Sequence, residues 1–460
     1  MGIGKWTKAQ LKEVTAPTGT RNPVSSTKES FLYIDIQSID NSTQNISSPK
    51  NLLCRDAPSR ARIAIKENDI LFSLVRPYLK NIVIVPDWLD DEIASTAFCS
   101  LRPECDIESK FIFYYLIQDT TINSIPTYGN SPPAARDDEF FDIALPLAPA
   151  QEQRRIVAKI EELFSNLDAG IAALERAKAK LAQHYQSVLK WAFEGKLTEE
   201  WRKANHIPSD WCIVDITHLI LPHKNALKAG PFGSALKKSM YVSHGYKIYG
   251  QEQVISGIEN YGNYFISEKK YNELISCKIA PNDILISLVG TVGKVLILSD
   301  KCKPGIINPR LIKISIDENK MLAKFFKYYF ESSYLKSLYK EKTNGTTMDV
   351  LNMGMIKSLP FPWCRLEEQR QIICEIESRF SICSKLEQLI NDNITKARDL
   401  RQAILKHAFE GKLVPQDPDD ESASVLLERI RQERTSKLSR VSSARKGRKK
   451  KNQESVHADT

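Results

Sequence analysis

The chain repeats itself at long range, and this constrains its fold more than any other feature. Glu152-Gln153-Arg154 returns as Glu368-Gln369-Arg370, an offset of 216. At that offset Ala192-Phe193-Glu194-Gly195-Lys196-Leu197 returns as Ala408-Phe409-Glu410-Gly411-Lys412-Leu413, and 18 of the 46 ungapped positions between these ends are identical. Upstream the offset is 214. There Asn68-Asp69-Ile70-Leu71-Phe72-Ser73-Leu74-Val75 returns as Asn282-Asp283-Ile284-Leu285-Ile286-Ser287-Leu288-Val289, Tyr114-Tyr115 matches Tyr328-Tyr329, and Leu145-Pro146 matches Leu359-Pro360. Solenoid units run to roughly 20–50 residues, so a period this long means tandem domains.

Each copy is a globular piece followed by a long helix. From Ile156 onward, apolar or small residues fall at Ile160, Leu163, Leu167, Gly170, Leu174, Ala177, Leu181 and Val188, with Glu and Lys between them. That is coiled-coil spacing. Gly195 stands where a left-handed C-terminal cap belongs. The second copy runs Ile372, Ile376, Cys383, Leu386, Ile390, Ala397, Leu400 and Ile404 to Gly411, with Arg379 and Asn393 interrupting its seam. Neither rod can bury its stripe alone; the simplest arrangement packs the two antiparallel, and the alternative is a partner's helices, or a bundle that uses both.

The globular pieces carry short β-rich runs, such as Phe31-Leu32-Tyr33-Ile34 and Leu311 to Ile316, separated by turn signals such as Pro281-Asn282-Asp283 and Asn344-Gly345-Thr346-Thr347. Aromatic helical segments follow at Phe111 to Gln118 and Met321 to Lys340. The expected fold is mixed α/β: two sheet-cored domains joined by two long antiparallel helices in a pseudo-two-fold repeat. The expected divisions are residues 1–144, a helix over 145–197, residues 198–358, a helix over 359–413, and a tail over 414–460 with a short helix at Ala423 to Arg434.

Charge alone does not identify a partner. Of the net +9, the stretch Arg429 to Lys451 contributes +10, from eleven Lys/Arg against Glu433, which leaves about −1 for the rest of the chain. The basic end reads as a disordered, solubilising tail with some non-specific phosphate affinity. Nine scattered cysteines contain no CxxC pair, so neither a disulfide framework nor a zinc site is indicated. No apolar run reaches the ~18 residues of a membrane span. A soluble, intracellular protein is expected.

Known catalytic patterns are missing. Gly290-Thr291-Val292-Gly293-Lys294 is too short for a phosphate loop, and Val295 follows the lysine where Ser or Thr must bind the metal. It reads as a turn between strands. There is no Asn/Asp-Pro-Pro-aromatic tetrad of an amino-methyltransferase; Ser131-Pro132-Pro133-Ala134 lacks both ends. Asp317 to Lys320 lacks the upstream acid of a metal nuclease, and His184 and His407 lie on or beside the helix seams. The chain is expected to be no enzyme.

At the paired helix motifs the chain resembles the DNA-specificity subunit of type I restriction–modification systems. Pro-x5-Glu-Gln opens both helices (Pro146 to Gln153 and Pro362 to Gln369), Ala-Phe-Glu-Gly-Lys-Leu closes both, and the Asn-Asp-Ile-Leu-x-Ser-Leu-Val strand stands in both globular pieces. Gly230-Pro231-Phe232-Gly233-Ser234-Ala235-Leu236-Lys237-Lys238 is typical of the family's recognition domains. The resemblance implies two target-recognition domains, each reading half of a split site on double-stranded DNA, with the helices as a ruler between them. It implies two modification subunits that bind S-adenosylmethionine and methylate adenine N6, and restriction subunits that use ATP and Mg. No cofactor is expected on this chain, and the setting implied is a prokaryotic cytoplasm.

The two recognition domains differ. Position 230 shifted by 214 lands in Ala16-Pro17-Thr18-Gly19-Thr20, which lacks the Gly-Pro-Phe-Gly-Ser pattern, so an asymmetric target is expected. Phosphates are held by Lys, Arg and small polar donors, while base edges are read by Arg, Asn, Gln and aromatic packing. On that basis the candidates are Arg76, Lys80 and Arg136 in the first domain. In the second they are Ser234, Lys237, Lys238, Lys294, Arg310, Thr346 and Thr347. The competing reading is a coiled-coil scaffold whose globular ends bind proteins.

Overall fold

A computed structural model describes residues 4–129, 132–288, 292–341 and 351–436. Its longest elements are two 44-residue helices, Ala150–Phe193 and Leu366–Phe409. At about 1.5 Å per residue each is roughly 66 Å long. Two compact units are present, Met1–Ala173 with Asn393–Thr460, and Leu174–Asp392. Each unit therefore owns half of each long helix.

The repeat is visible in strand pairing. In the first unit a four-stranded sheet has the order Thr15–Ala16, Phe98–Pro103, Ile70–Ser73, Ile82–Ile84, all antiparallel. In the second the order is Leu227–Ala229, Leu311–Ile314, Ile284–Ser287, Val295–Ile297, again all antiparallel. Each unit has a further sheet containing one parallel pair, Ser30–Ile34 with Ile93–Ser95 and Tyr246–Tyr249 with Gly305–Ile307. The central strands Ile70–Ser73 and Ile284–Ser287 are buried on both faces, which is why they read as continuous apolar runs rather than alternating ones.

The Asn-Asp that precedes each central strand is a turn and an anchor. Asn68 and Asn282 are left-handed, at φ 66° and 64°, a conformation asparagine tolerates better than most residues. The next residue is buried. Asp69 accepts from the Lys66 amide (2.8 Å) and from Arg102 Nε (2.8 Å) and Nη2 (2.6 Å). Asp283 accepts from the Ala280 amide (2.7 Å) and Ser315 Oγ (2.5 Å), with Lys313 Nζ 3.7 Å away. Burial pulls the Lys313 ammonium below its ordinary value, against the opposing pull of Asp283.

The Glu-Gln pairs fix where the long helices begin. Gln153 Oε1 accepts from the Glu108 amide (3.0 Å) while Nε2 donates to the Ala148 carbonyl (2.8 Å). Gln369 repeats this with the Leu322 amide (2.9 Å) and the Cys364 carbonyl (2.7 Å). Each glutamine thus ties its helix to the start of an aromatic helix, Ser109–Leu116 or Ala323–Phe330. The glutamates take tryptophan N–H groups: Trp6 Nε1 donates to Glu152 (2.9 Å) and Trp211 Nε1 to Glu368 (3.0 Å). Gly195 and Gly411, both left-handed, lie just beyond the far ends.

Within the second unit Lys178 Nζ donates to Asn391 Oδ1 (2.9 Å) and the rings of Tyr185 and Phe380 lie 4.5 Å apart, so the helices run antiparallel. Within the first, Arg401 stacks on Phe164 at 4.6 Å and bonds Asp168, and Phe409 packs on Phe111 and Tyr115. The seam follows the expected one except at four positions in its middle stretch. Gly170, Ala177, Leu386 and Leu400 are exposed, and Ile171, Lys178, Glu387 and Arg401 are sheltered instead. At these places the order of the 4- and 3-residue steps is inverted, and in three of the four exchanges an alanine or leucine gives way to a polar neighbour. Leu386 with Ile382 and Leu389 forms an exposed apolar stripe in the second unit. His184 and His407 are exposed as well.

A helix over 423–436 matches the expected short helix of the tail. It buries Ala423, Leu426, Leu427 and Ile430 in the core of the first unit, and Arg434 bonds Glu104 (2.7 Å) and the carbonyls of Lys12 and Thr15 (2.6 Å each). The basic run Arg445 to Lys451 lies outside the described residues.

Candidate nucleic-acid interface

In each unit several loops leave the sheets at one end, and the strand register shows which. In the first unit Ser73 pairs with Phe98, so the turn after Ser73 lies at the end where Phe98 begins. That turn, 74–81, carries Arg76 and Lys80, both left-handed at φ 52°. The Arg76 amide donates to the Pro133 carbonyl and the Ala135 amide to Leu74, each at 2.9 Å. These bonds bring the segment with Arg136 beside Arg76. The Arg136 guanidinium stacks 4.3 Å from the centroid of Tyr128, whose hydroxyl donates to Glu139 (2.7 Å).

Of these three cations Arg76 and Arg136 are exposed. Lys80 is half-buried, and its Nζ donates to the Ile117 carbonyl (2.9 Å) and to Asp119 (2.5 Å). Its ammonium is thus paired with Asp119 and ties the turn to the segment at 117–119.

In the second unit Ser287 pairs with Leu311, the Gly230 amide donates to the Leu311 carbonyl (3.0 Å), and the Leu288 amide donates to the Arg310 carbonyl (3.0 Å). Residues 230–238, 288, 292–294 and 308–310 therefore emerge together. Gly230 is required here, because a Cβ would sit 1.9 Å from the Asn308 carbonyl oxygen. Arg310 Nη1 donates to Gln251 Oε1 (3.2 Å), and Gln251 Nε2 donates to Ser287 Oγ (3.0 Å). Ser234, Lys237, Lys238 and Lys294 are exposed around this end, with Leu236 buried between them as a peg. Thr346 and Thr347 lie outside the described residues.

Three residues here escape the sequence reading: Gln251, Asn308 and Lys247. Gln251 comes next to Arg310 only through the parallel pairing of Tyr249 with Ile307, a long-range contact with no local signal, whereas Asn308 is two residues before Arg310 and its Oδ1 accepts from the Arg310 amide (2.9 Å). Lys247 is buried, and its Nζ donates to the Gly262 carbonyl (2.9 Å) with those of Asn260 and Tyr261 at 3.4 Å. Burial lowers its affinity for a proton, with Lys303 adding to the effect. The lysine holds a loop that exposes Tyr261 and Tyr264.

The chemistry on offer is recognition. Arginine, glutamine and asparagine side chains on anchored loops match the donor and acceptor pattern of base edges, and lysines match phosphates. Among the described residues no group of three or more His, Cys, Asp or Glu is placed to hold a metal ion. No described helix is long and apolar enough to cross a membrane.

Comparison with known proteins points the same way. The family model of the type I restriction modification DNA specificity domain matches residues 4–179 and 233–396. The chain is 26% identical over 326 residues to the specificity subunit of the Escherichia coli type I restriction enzyme EcoBI, covering 66% of this chain and 67% of that one. Against the EcoKI specificity subunit of Escherichia coli strain K12 it is 26% identical over 379 residues, covering 77% and 78%. A chain from a structural study of complex assembly and conformational transition of the type I R-M system superposes with a TM-score of 0.71 at 26% identity, over 89% of this chain and 98% of that one. The crystal structure of the HsdS subunit from Thermoanaerobacter tengcongensis gives 0.56 at 26% identity, over 89% and 97%.

Proposed function

Because the chain belongs to the family of type I restriction modification DNA specificity proteins, we propose that it reads a split site on double-stranded DNA, with residues 1–144 and 198–358 each recognising one half. Sequence-specific DNA recognition within a restriction–modification complex is its role, and catalysis belongs to other subunits. The observation that carries the reading is the matched pair of sheets, identical in strand order and direction, whose loops emerge at the same end with unlike residues. Matched scaffolds suit a two-part target, since half-site spacing mirrors the geometry of the reader. Unlike loops suit unlike half-sites.

Arg76 and Arg136 are assigned to the half-site of the first domain. Ser234, Lys237, Lys238, Lys294, Arg310, Thr346 and Thr347 are assigned to that of the second, with Gln251 beside Arg310. Lys80 is assigned to the same interface through the turn it holds rather than through a phosphate. The partners proposed are two modification subunits, which would bring S-adenosylmethionine for adenine-N6 methylation, and restriction subunits using ATP and Mg. The long helices are proposed to set the spacing between the half-sites.

The test is to co-express the chain with its modification subunits and map N6-methyladenine across host DNA. One split motif with two unlike halves at fixed spacing is the expected result. Methylation at an undivided or symmetric site would overturn the asymmetric reading, and failure to form any complex would favour a scaffold that binds other proteins.

A further inference from the structure

Two aromatic rings stand out at the loop ends without a packing role. Phe232 is 86% exposed and Tyr78 is 58% exposed. Isolated exposed apolar residues are ordinary on protein surfaces, but these two are presented by loops that are tied down. Phe232 follows buried Pro231 and the Gly230 that is wedged against Asn308, and buried Leu236 pins the loop on its other side. Tyr78 follows buried Pro77 in a turn bracketed by Arg76 and Lys80, both left-handed. A non-glycine residue in that region is strained. Such strain persists where surrounding contacts over-determine it, and it clusters at ligand clamps. Here the contacts are the Arg76 amide on Pro133 and the Lys80 ammonium on Ile117 and Asp119.

We propose that Tyr78 and Phe232 each pack their ring against the bases of the half-site read by their own unit, from loops that are not equivalent in the repeat. The proposal rests on the DNA-reading function above. Tyr78 lies between the strands Ile70–Ser73 and Ile82–Ile84, and the corresponding position 214 residues on is Val292. Phe232 follows the strand Leu227–Ala229, and the position 214 residues back is Thr18. The two rings therefore come from different sides of the same sheet end. A neutral ring gains nothing from phosphates. It gains from a thymine methyl in the major groove or from a base step that it partly unstacks. Arg76 on one side, and Lys237, Lys238 and Arg310 on the other, would hold the backbone while the ring meets the bases.

The experiment uses the full chain assembled with its modification subunits and a fluorescent duplex carrying the mapped site, titrated across a salt series. Tyr78→Ala and Phe232→Ala should each weaken binding to that duplex roughly tenfold or more. The slope of log affinity against log salt should not change, because no phosphate contact is lost. Each variant should tolerate base changes in its own half-site alone, and Tyr78→Phe should bind as wild type. Both rings are exposed, so assembly should be intact. Wild-type affinity and preference in the alanine variants, or equal weakening on unrelated DNA, would overturn the proposal. Lost assembly with unchanged DNA preference would assign the rings to a protein partner and also overturn it. If the wild-type complex itself cannot distinguish the mapped duplex from unrelated DNA, the DNA-reading function falls, and that is seen before any variant is made.

Discussion

Glu152 and Glu368 are equivalent in sequence and both are buried, yet replacing each by glutamine should have very different consequences. Glu368 is 0% exposed at its side chain and pairs with Arg202, whose side chain is 12% exposed. It also accepts from Thr198 Oγ1 (2.7 Å) and Trp211 Nε1 (3.0 Å). Glutamine keeps an oxygen for Thr198 and Trp211 but leaves Arg202 without a counter-charge, and breaking a buried pair from one side costs about 3–5 kcal/mol. Among the described residues no such cation is bonded to Glu152. Its hydrogen bond is from Trp6, and Arg155 bonds Asp420 instead, at 2.6 Å. A glutamine at 152 keeps that bond and removes a carboxylate that burial disfavours, so its cost should be under about 1 kcal/mol. A unit of some 200 residues shifts by about 2–4 °C per kcal/mol. Glu368→Gln should therefore lower the melting of the second unit by roughly 6–20 °C, and Glu152→Gln should move the first by a few degrees at most. Calorimetry gives the transitions, and amide hydrogen exchange over 366–376 and 150–160 assigns them. Adding Arg202→Leu to Glu368→Gln should recover much of the loss. Equal shifts for the two single variants, or no recovery in the double variant, would refute the claim that the Arg202 charge separates the two sites.

Other outcomes follow from the same contacts. Burial raises the Glu152 carboxyl above its ordinary 4.5, with the Trp6 hydrogen bond opposing. The stability this gives is fully present below 4.5 and is lost as pH rises through the raised value, so hydrogen exchange of the first unit near residue 152 should show an acid-side gain that Glu152→Gln abolishes. Arg76→Ala and Lys294→Ala should each reduce the salt slope of DNA binding by about 1, whereas Lys80→Ala should leave the slope in place and loosen the 74–81 turn, read by exchange or limited proteolysis. Asp69→Ala strips the partner from Arg102, with an expected loss of about 3–5 kcal/mol. Thermal melting with Arg102→Met added separates the charge effect from packing.

What could be read from the sequence was what the chain says twice. The central strands, the helix ends at Gly195 and Gly411, and the aromatic helices all follow from duplicated local patterns, and all are present. The helix seam departs from the spacing at four positions, where small or apolar residues sit beside the sheltered ones: Leu386 next to Glu387, Leu400 next to Arg401. Hydrophobicity favours the leucine, but Arg401 gains a ring in Phe164 and a carboxylate in Asp168, and its long aliphatic stem covers the seam while its charge reaches out. Lys80 shows the same limit from the other side. The sequence marks this lysine only as a turn cation, and gives no sign that it bonds Asp119, 39 residues away. Pairings of that range leave no trace in spacing.

The duplication also explains why the two edges are free to differ. The sheets and helix starts are held by contacts that recur in both units: Asn-Asp turns, glutamine ties, tryptophan N–H groups on buried glutamates. None of these contacts uses a side chain of the 74–81 turn or of the 230–238 and 308–310 loops. Substitutions in those loops therefore leave the fold's recurring anchors in place, apart from pegs such as Gly230 and Leu236. Within one chain the loops have already diverged, with Tyr78 in one turn against Val292 in its counterpart, and Phe232 against Thr18. A reader whose scaffold is fixed by one set of residues and whose edge is set by another can change half of its target without disturbing the other half. Exchanging the 230–238 loop while keeping Gly230 and Leu236 should accordingly alter one half of the methylated motif and leave the other half and the spacing unchanged, as read from the methylation map. A change in both halves would mean that the loop also bears on the scaffold.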